Sequence, residues 1–597
     1  MNCQISRRTL LTGGPFTLAA CRTAQGAYFG KTDPPSSQRL IYLIGSEPGS
    51  LDPGKTTGGY EWVVVPSLFE GLTIEHPATA KPIAALATHY EVNANFTRYT
   101  FYLRGHPRPR GMKLGNTDTL RLEYQSGFLK QDFSRGRSAP PDSLPARWSD
   151  GRIITASDFV YSWQRVVDPE TATPQYGYFL FDVENAEQIS AGKMPLRSLG
   201  VRSLDEFTFQ IDLRVPTPYF LQLTSRCILA AAPQHAIEAA RARGMEASWL
   251  EPQHVITSGA FVLRDHRPYD RIVVTKNPRY YEFGLVALDE ITFLPVSDAT
   301  TSLNLYKTGS AHAMTGDRLP PWLSPTVQQK RDAYAAPALF HMHPFFNCIK
   351  PPFNNVLARY ALNMATDKLE IARMFGRGRA PARTFVPPFD GYEPPASIIV
   401  QIGGRTYDVL SYDPAGAREL LAQAGYQNGV GRDGRALSFT YRFPNLPHSQ
   451  PMAEVLQKQW SRNLCIAVNL VKQELTPYIY TLLSGEFEVA EDGCGNDYRD
   501  PNAFLGLFVT GAPLGFTWSD AAYDGALNEA NSTPDPAGRM LKLRRCEAYL
   551  LHHMPIVPLL FYGYAGFQKP YVRGLATNLL DTHPFKYTWI DTNWRPS

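Results

Sequence analysis

The chain has 597 residues, of which 44% are hydrophobic, 19% charged and 12% aromatic, with a formal net charge of +4. That length exceeds what one hydrophobic core supports, so several structural units with clefts between them are expected. The composition excludes a disordered chain, and an excess of 59 Lys+Arg over 55 Asp+Glu is too small to mark a nucleic-acid binder.

The first residues read as a targeting segment rather than as fold. Arg7 and Arg8 precede a mostly apolar run from Leu10 to Ala20, interrupted by Gly13, Gly14 and Pro15. The run is far shorter than the roughly 20 residues a bilayer-spanning helix needs. The paired arginines resemble a twin-arginine export signal, although Leu10 stands where phenylalanine is commoner. Leu18-Ala19-Ala20-Cys21 resembles a bacterial lipobox, in which the cysteine takes a diacylglycerol and becomes the new N-terminus. The expectation is therefore an exported, periplasmic chain, with 1–20 as signal peptide. Lipid on Cys21 would hold it to a membrane face, and without that lipid it would be free in the periplasm. Residues 21–38 then read as a tether. The remaining cysteines, Cys227, Cys348, Cys465, Cys494 and Cys546, form no C-x-x-C pair and support neither a zinc site nor a redox motif.

Arg39–Ile44 reads as a strand. Residues 59–105 give short strand-like runs, such as 99–103. Residues 104–147 carry nine Lys/Arg against four Asp/Glu, a local +5 that reads as a solvated surface excursion or a patch for anionic lipid or a partner. Thr155 and Asp158 make a capping-box pattern, and Val160, Trp163 and Val167 fall on one helical face. Leu357, Ala361, Leu362 and Ala365 mark a second helix, Asp367 with Glu370 starts a third, and Asp413 with Pro414 starts a fourth that Gly425 ends. Residues 436–443 and 467–472 read as strands. Helices and strands in irregular order argue α/β or α+β, without repeats.

Catalytic motifs are weak. Gly429-Val430-Gly431-Arg432-Asp433-Gly434 matches G-x-G-x-x-G, but a helix precedes it and a strand follows, the reverse of a dinucleotide loop. It reads as a helix-to-strand turn. Gly26 and Gly30 are one residue too close for a phosphate-binding loop. The sequence contains neither H-E-x-x-H nor G-x-S-x-G.

Several blocks, in order, carry a family resemblance. They are Gly45-Ser46-Glu47-Pro48-Gly49-Ser50-Leu51-Asp52-Pro53, Leu68-Phe69-Glu70-Gly71-Leu72, and Trp148-Ser149-Asp150-Gly151 running into the segment Ala156 to Trp163. Further on come Pro352-Phe353-Asn354-Asn355 with Arg359, Ala361 and Asp367-Lys368, and then Asp497-Tyr498 with Asp500-Pro501 and Phe504-Leu505. From residue 41 onward the chain resembles the extracytoplasmic oligopeptide-binding proteins of ABC importers, whose wider family also takes dipeptides, murein peptides and nickel.

The resemblance implies an α/β, three-lobed fold like the type II periplasmic binding proteins. Lobe I would combine 39–60, 223–338 and 563–597. Lobe II would be 61–222, with the basic stretch at about 106–146 as an insertion, and lobe III would be 339–562. Lobes I and III would close over ligand by a hinge. It further implies a monomer that captures an extended peptide along strand edges, hands it to the permease of an ABC transporter, and uses no cofactor, metal or nucleic acid. Asp497 aligns with the acid that holds the ligand's α-ammonium; unaided by the resemblance, it would read as a turn-capping Asp. Glu47 and Tyr178 align near the cleft, Gly493, Cys494 and Gly495 could offer backbone groups, and Cys494 stands where relatives have a tryptophan. Basic residues that receive the ligand's carboxylate in enteric relatives are here Leu482 and Glu491, an acid that would repel a carboxylate, with His448 as partial compensation. A bridging cysteine pair of those relatives is replaced by Phe340 and Gly495. These departures favour a longer peptide ending outside the cleft, or a ligand without a free carboxylate. The alternatives are the same fold binding an opine, glycan or metal chelate, and an exported hydrolase.

Overall fold

The computed structural model describes residues 27–56, 58–106, 119–121, 143–171, 177–314, 329–376, 378–446, 448–495, 497–512 and 517–596. The signal, Cys21 and most of the basic stretch lie outside the described residues.

Arg39–Ile44 forms the expected strand, buried at Leu40 and from Tyr42 to Ile44, with side chains packed on both faces. It pairs in parallel with Glu290–Pro295 and with Ala313–Met314. These belong to an eleven-stranded mixed sheet. From one edge its order is Ala467–Gln473, Ser438–Pro444, Val489–Gly495, Ala333–Phe346, Leu560–Gln568, Ala313–Met314, Arg39–Ile44, Glu290–Pro295, Arg271–Lys276 and Phe261–Arg267, with Ala380–Pro381 beside Leu560–Gln568. Two long antiparallel strands, Ala333–Phe346 and Leu560–Gln568, therefore join the two halves. Their register shifts between Pro337 and His341. A bulge there bends the sheet and raises its local twist.

A separate five-stranded antiparallel sheet follows the order Thr119–Arg121, Ala87–Val92, Arg98–Leu103, Thr208–Asp212 and Val201–Asp205. The helix Ala156–Val167 packs beside it. Its start is the expected capping box: the Asp158 carboxylate accepts from the Thr155 backbone N–H at 2.8 Å and hydroxyl at 3.0 Å. Trp163 is fully buried, edge-on to Phe209 at 5.1 Å, and its indole N–H reaches the Leu229 carbonyl at 3.1 Å. Burying a side chain of this size contributes about 1.5–3 kcal/mol, and satisfying its one polar atom keeps that gain.

The Asp-led helix starts also form as read. Asp367 accepts from the Leu369 and Glu370 N–H groups, and Asp413 from that of Gly416. Gly429 to Gly434 sits beside a two-residue hairpin, Tyr426–Gln427 against Val430–Gly431, which leads into the next strand. No helix among the described residues is long and apolar enough to cross a membrane.

Three expectations are corrected. Glu61–Leu68 is a helix inside the stretch read as strands; Val64, Val65 and Leu68 are buried, so packing overrides the β-preference of its valines. Arg104, counted with the basic surface, is buried: it donates to the Ala85 carbonyl at 2.8 Å and stacks over Tyr281 at 4.2 Å. The tether is shorter than 21–38, because Phe29 stacks on Phe567 at 4.9 Å and its N–H donates to Asp332 at 2.8 Å.

Buried ion pairs join the blocks. Arg165, two residues after Trp163, makes a two-pronged contact with Asp52 at 2.8 and 3.2 Å. Arg539 does the same to Asp500 at 2.6 and 2.9 Å. The Lys586 ammonium sits between Glu70 and Glu282 at 2.8 and 2.9 Å. Much of the family pattern in the sequence is thus scaffold chemistry.

Candidate functional site

The strand Val489–Gly495 is paired along its whole length on one side, with Phe340–Phe346. On the other side its parallel pairing with Ser438–Pro444 covers Val489 and Ala490 alone. Past Ala490 that outer edge has no strand beside it among the described residues. An unpaired edge presents backbone donors and acceptors to whatever lies alongside. Gly495 is Phe340's register partner, with φ at +131°, and a Cβ there would lie 2.0 Å from the Leu339 carbonyl oxygen. Phe340 and Gly495 are therefore neighbours, and this backbone admits only glycine at 495.

Asp497 lies two residues past the strand. Its carboxylate accepts from the Tyr178 hydroxyl at 3.1 Å, so the structure brings together two predicted residues 319 positions apart. Asp497 is half-buried. Burial pushes its carboxyl up to about 6, opposed by the Arg226 guanidinium and the Tyr178 hydrogen bond. Arg226 donates to Glu75 at 3.2 Å and stacks over Trp62 at 4.0 Å, while its Nε and Nη2 have no hydrogen-bond partner. Sequence reasoning did not single out Arg226, because nothing local marks it. Cys494 is buried, and burial together with Asp492 and Asp497 pushes its thiol well above the ordinary range. It stays a neutral thiol, a poor nucleophile.

Glu47 goes elsewhere. Its carboxylate oxygens take His266 Nε2 at 2.7 Å and the Tyr269 backbone N–H at 3.0 Å. It holds the hairpin formed by Phe261–Arg267 and Arg271–Lys276, and none of these contacts ties it to Asp497.

Beside the open edge lies a cavity of about 410 Å³. Its wall includes Gly493, Leu482, Glu491, His448 and Phe340, five positions that the sequence singled out, together with Met342, Tyr562 and Tyr564. Glu491 is held inside the fold. Its side chain is buried and accepts from the Ser449 hydroxyl and, at 3.4 Å, from Tyr441. Burial pushes its carboxyl up to about 7, and that of Asp492 likewise. Both acids therefore hold a proton more readily than an exposed carboxyl, which weakens the charge they present to the cavity.

An open strand edge that ends at a half-buried carboxylate, with a cavity alongside, is the architecture of a solute-binding protein of the type II periplasmic class. The sequence model of the bacterial extracellular solute-binding proteins, family 5 (Middle), matches residues 145–516. The chain belongs to that family. It is 29% identical over 582 residues to the periplasmic oligopeptide-binding protein OppA of Salmonella typhimurium, covering 96% of each chain. The murein tripeptide-binding protein MppA of Escherichia coli superposes with a TM-score of 0.72 at 27% identity, over 94% of this chain and 99% of that one. OppA of Haemophilus influenzae, solved with the peptide RPPGFSPFR, superposes with a TM-score of 0.71 at 26% identity, over 94% and 100%.

Proposed function

We propose that this chain is an extracytoplasmic receptor that captures oligopeptides and delivers them intact to the permease of an ABC importer. The observation that carries the reading is the open edge of 491–495 ending at Asp497. A peptide laid along that edge exchanges main-chain hydrogen bonds without regard to side-chain identity, and its α-ammonium meets the carboxylate. A charge taken into a closing cleft needs such a partner. Tyr178 fixes the carboxylate, and Gly493, Cys494 and Gly495 supply backbone on the ligand's path. The H. influenzae relative was solved with RPPGFSPFR, which agrees with a ligand longer than three residues.

Lobes II and III take the boundaries read from the sequence, and lobe I adds the segment around Phe29, which stacks on Phe567. The bulge between Pro337 and His341 supports a hinge where the chain passes from lobe I to lobe III. Binding then selects the closed state. Bond cleavage has no support at the site: its thiol is neutral and its carboxylates serve as anchor and lining. The relatives are named periplasmic, which supports export of this chain. Anchoring through Cys21 and a monomeric state complete the reading.

Titration calorimetry on a nonapeptide with a free and an acetylated N-terminus tests it. Acetylation removes the ammonium and leaves Asp497 unpaired, so affinity falls about a hundredfold or more. Equal affinity for both forms would remove Asp497 as the anchor.

A further inference from the structure

The helix Leu475–Ser484 is apolar along most of its length, yet Tyr478 is its one buried residue. Leu475, Tyr478, Ile479 and Leu482 stand at i, i+3, i+4 and i+7, one face of a helix. All four line the cavity beside the open strand edge. Leu475 and Ile479 are 48% and 39% exposed, so this half of the stripe faces open space, while Tyr478 and Leu482 pack toward the core. Apolar surface gathered around a concavity marks a binding site, and 410 Å³ falls in the range of about 300–1,000 Å³ found for small-ligand pockets.

The position of the cavity follows from the chain. Gly493 is in its wall and precedes Asp497 by four residues, which span at most about 14 Å. An extended ligand rises about 3.3 Å per residue. A ligand whose ammonium meets Asp497 therefore reaches the cavity within its first five residues. The polar groups of the wall are Glu491, Asp492, His448 and the hydroxyls of Tyr478, Tyr562 and Tyr564, and among the described residues the wall contains no Lys or Arg. Arg379 lies nearby, over the Tyr562 ring at 4.5 Å, and is the cation to which a carboxylate would turn if one entered.

We propose that this cavity takes a bulky apolar side chain, aromatic or branched, from among the first five residues of the captured peptide, and that the peptide's C-terminal carboxylate lies elsewhere. The assignment rests on the peptide reading and adds a ligand preference to it. Phe340, Met342 and the aromatic pair Tyr562 and Tyr564 offer ring and thioether surfaces on which such a group packs. Glu491 and Asp492, whose carboxyls burial pushes up, offer nothing cationic to a carboxylate.

The test is titration calorimetry with Ser/Gly nonapeptides in which one Phe is moved from position 1 to position 9, each with a free and an amidated C-terminus. One or two adjacent positions within the first five should raise affinity tenfold or more over the Phe-free peptide, and amidation should change affinity less than threefold. Leu475→Ser and Leu482→Arg should each reduce the Phe preference to less than threefold. Leu475 is half-exposed, so its variant keeps the fold even if Leu482→Arg does not, and melting curves report on both. A flat scan in a protein that binds these peptides overturns the pocket assignment alone. A large loss on amidation overturns it too, by placing the carboxylate in the cavity beside Arg379. If no member of the series binds, the peptide reading falls and the pocket assignment falls with it.

Discussion

At the scale of single residues, Asp497 separates stability from function. Its carboxyl is pushed up to about 6 by burial, against an unfolded value near 3.9. A raised carboxyl means that the folded chain holds its proton more tightly than the unfolded chain. The contribution to stability is therefore favourable below about pH 4 and is lost as pH rises through about 6. Above pH 6 the ionised, half-buried group destabilises the empty protein by about 1–2 kcal/mol after allowance for its solvent contact. Asp497→Asn should raise the melting temperature at pH 8, leave it little changed at pH 4, and remove the stabilisation that peptide confers. Differential scanning calorimetry at the two pH values, with and without peptide, reads all three. Unaltered stabilisation by peptide would show that the carboxylate serves only the fold. Of the two residues expected near the cleft, Tyr178 meets Asp497 and Glu47 does not. Glu47's partners, His266 and the Tyr269 N–H, come from more than 200 residues away. Such a pairing leaves no local signature.

At the scale of elements, the readable parts are those whose physics is local. Asp158, Asp367 and Asp413 close helix starts within three residues of themselves, and Arg39–Ile44 alternates within its own length, so each is legible. Glu61–Leu68 is not, because its fate is set by what buries Val64, Val65 and Leu68. The Arg165–Asp52 pair joins a helix to the loop after the first strand. Asp52→Ala would leave a buried guanidinium uncompensated and should cost about 3–5 kcal/mol, measured as a shift in urea midpoint at constant slope. Loss of less than about 1 kcal/mol, the usual value of an exposed pair, would show that water replaces Asp52. This pair also explains why motif residues so often prove to be scaffold: Asp52, Arg165, Asp500 and Arg539 are fixed by each other. The residues that touch ligand answer to a solute outside the chain.

At the scale of the whole molecule, the sequence carries the class of fold through the order of its blocks, and the structure adds what only assembly makes. The eleven-stranded sheet crosses its middle on Ala333–Phe346 and Leu560–Gln568, segments more than 200 residues apart that no local pattern pairs. The cavity draws its wall from 338–342, 444–448, 475–482, 491–493 and 562–564. The sequence pointed to Leu482, Glu491 and Phe340 by departure from relatives, to His448 as compensation and to Gly493 as a source of backbone groups, and could not show that they share one space. It also read Glu491 as a charge. Burial pushes its carboxyl up to about 7 against the hydrogen bonds from Ser449 and Tyr441, which favour the charged form, so its charge is a property of the folded surroundings.

The central claim is that an open strand edge, ended by Asp497, holds a peptide and leaves its bonds intact. Native mass spectrometry of the protein after incubation with a random pool of six- to ten-residue peptides tests it most directly. The account predicts adducts at the masses of uncut pool members, lost in Asp497→Ala, with the unbound pool unchanged. Cleaved fragments in the pool, or adducts undiminished in the variant, would contradict it.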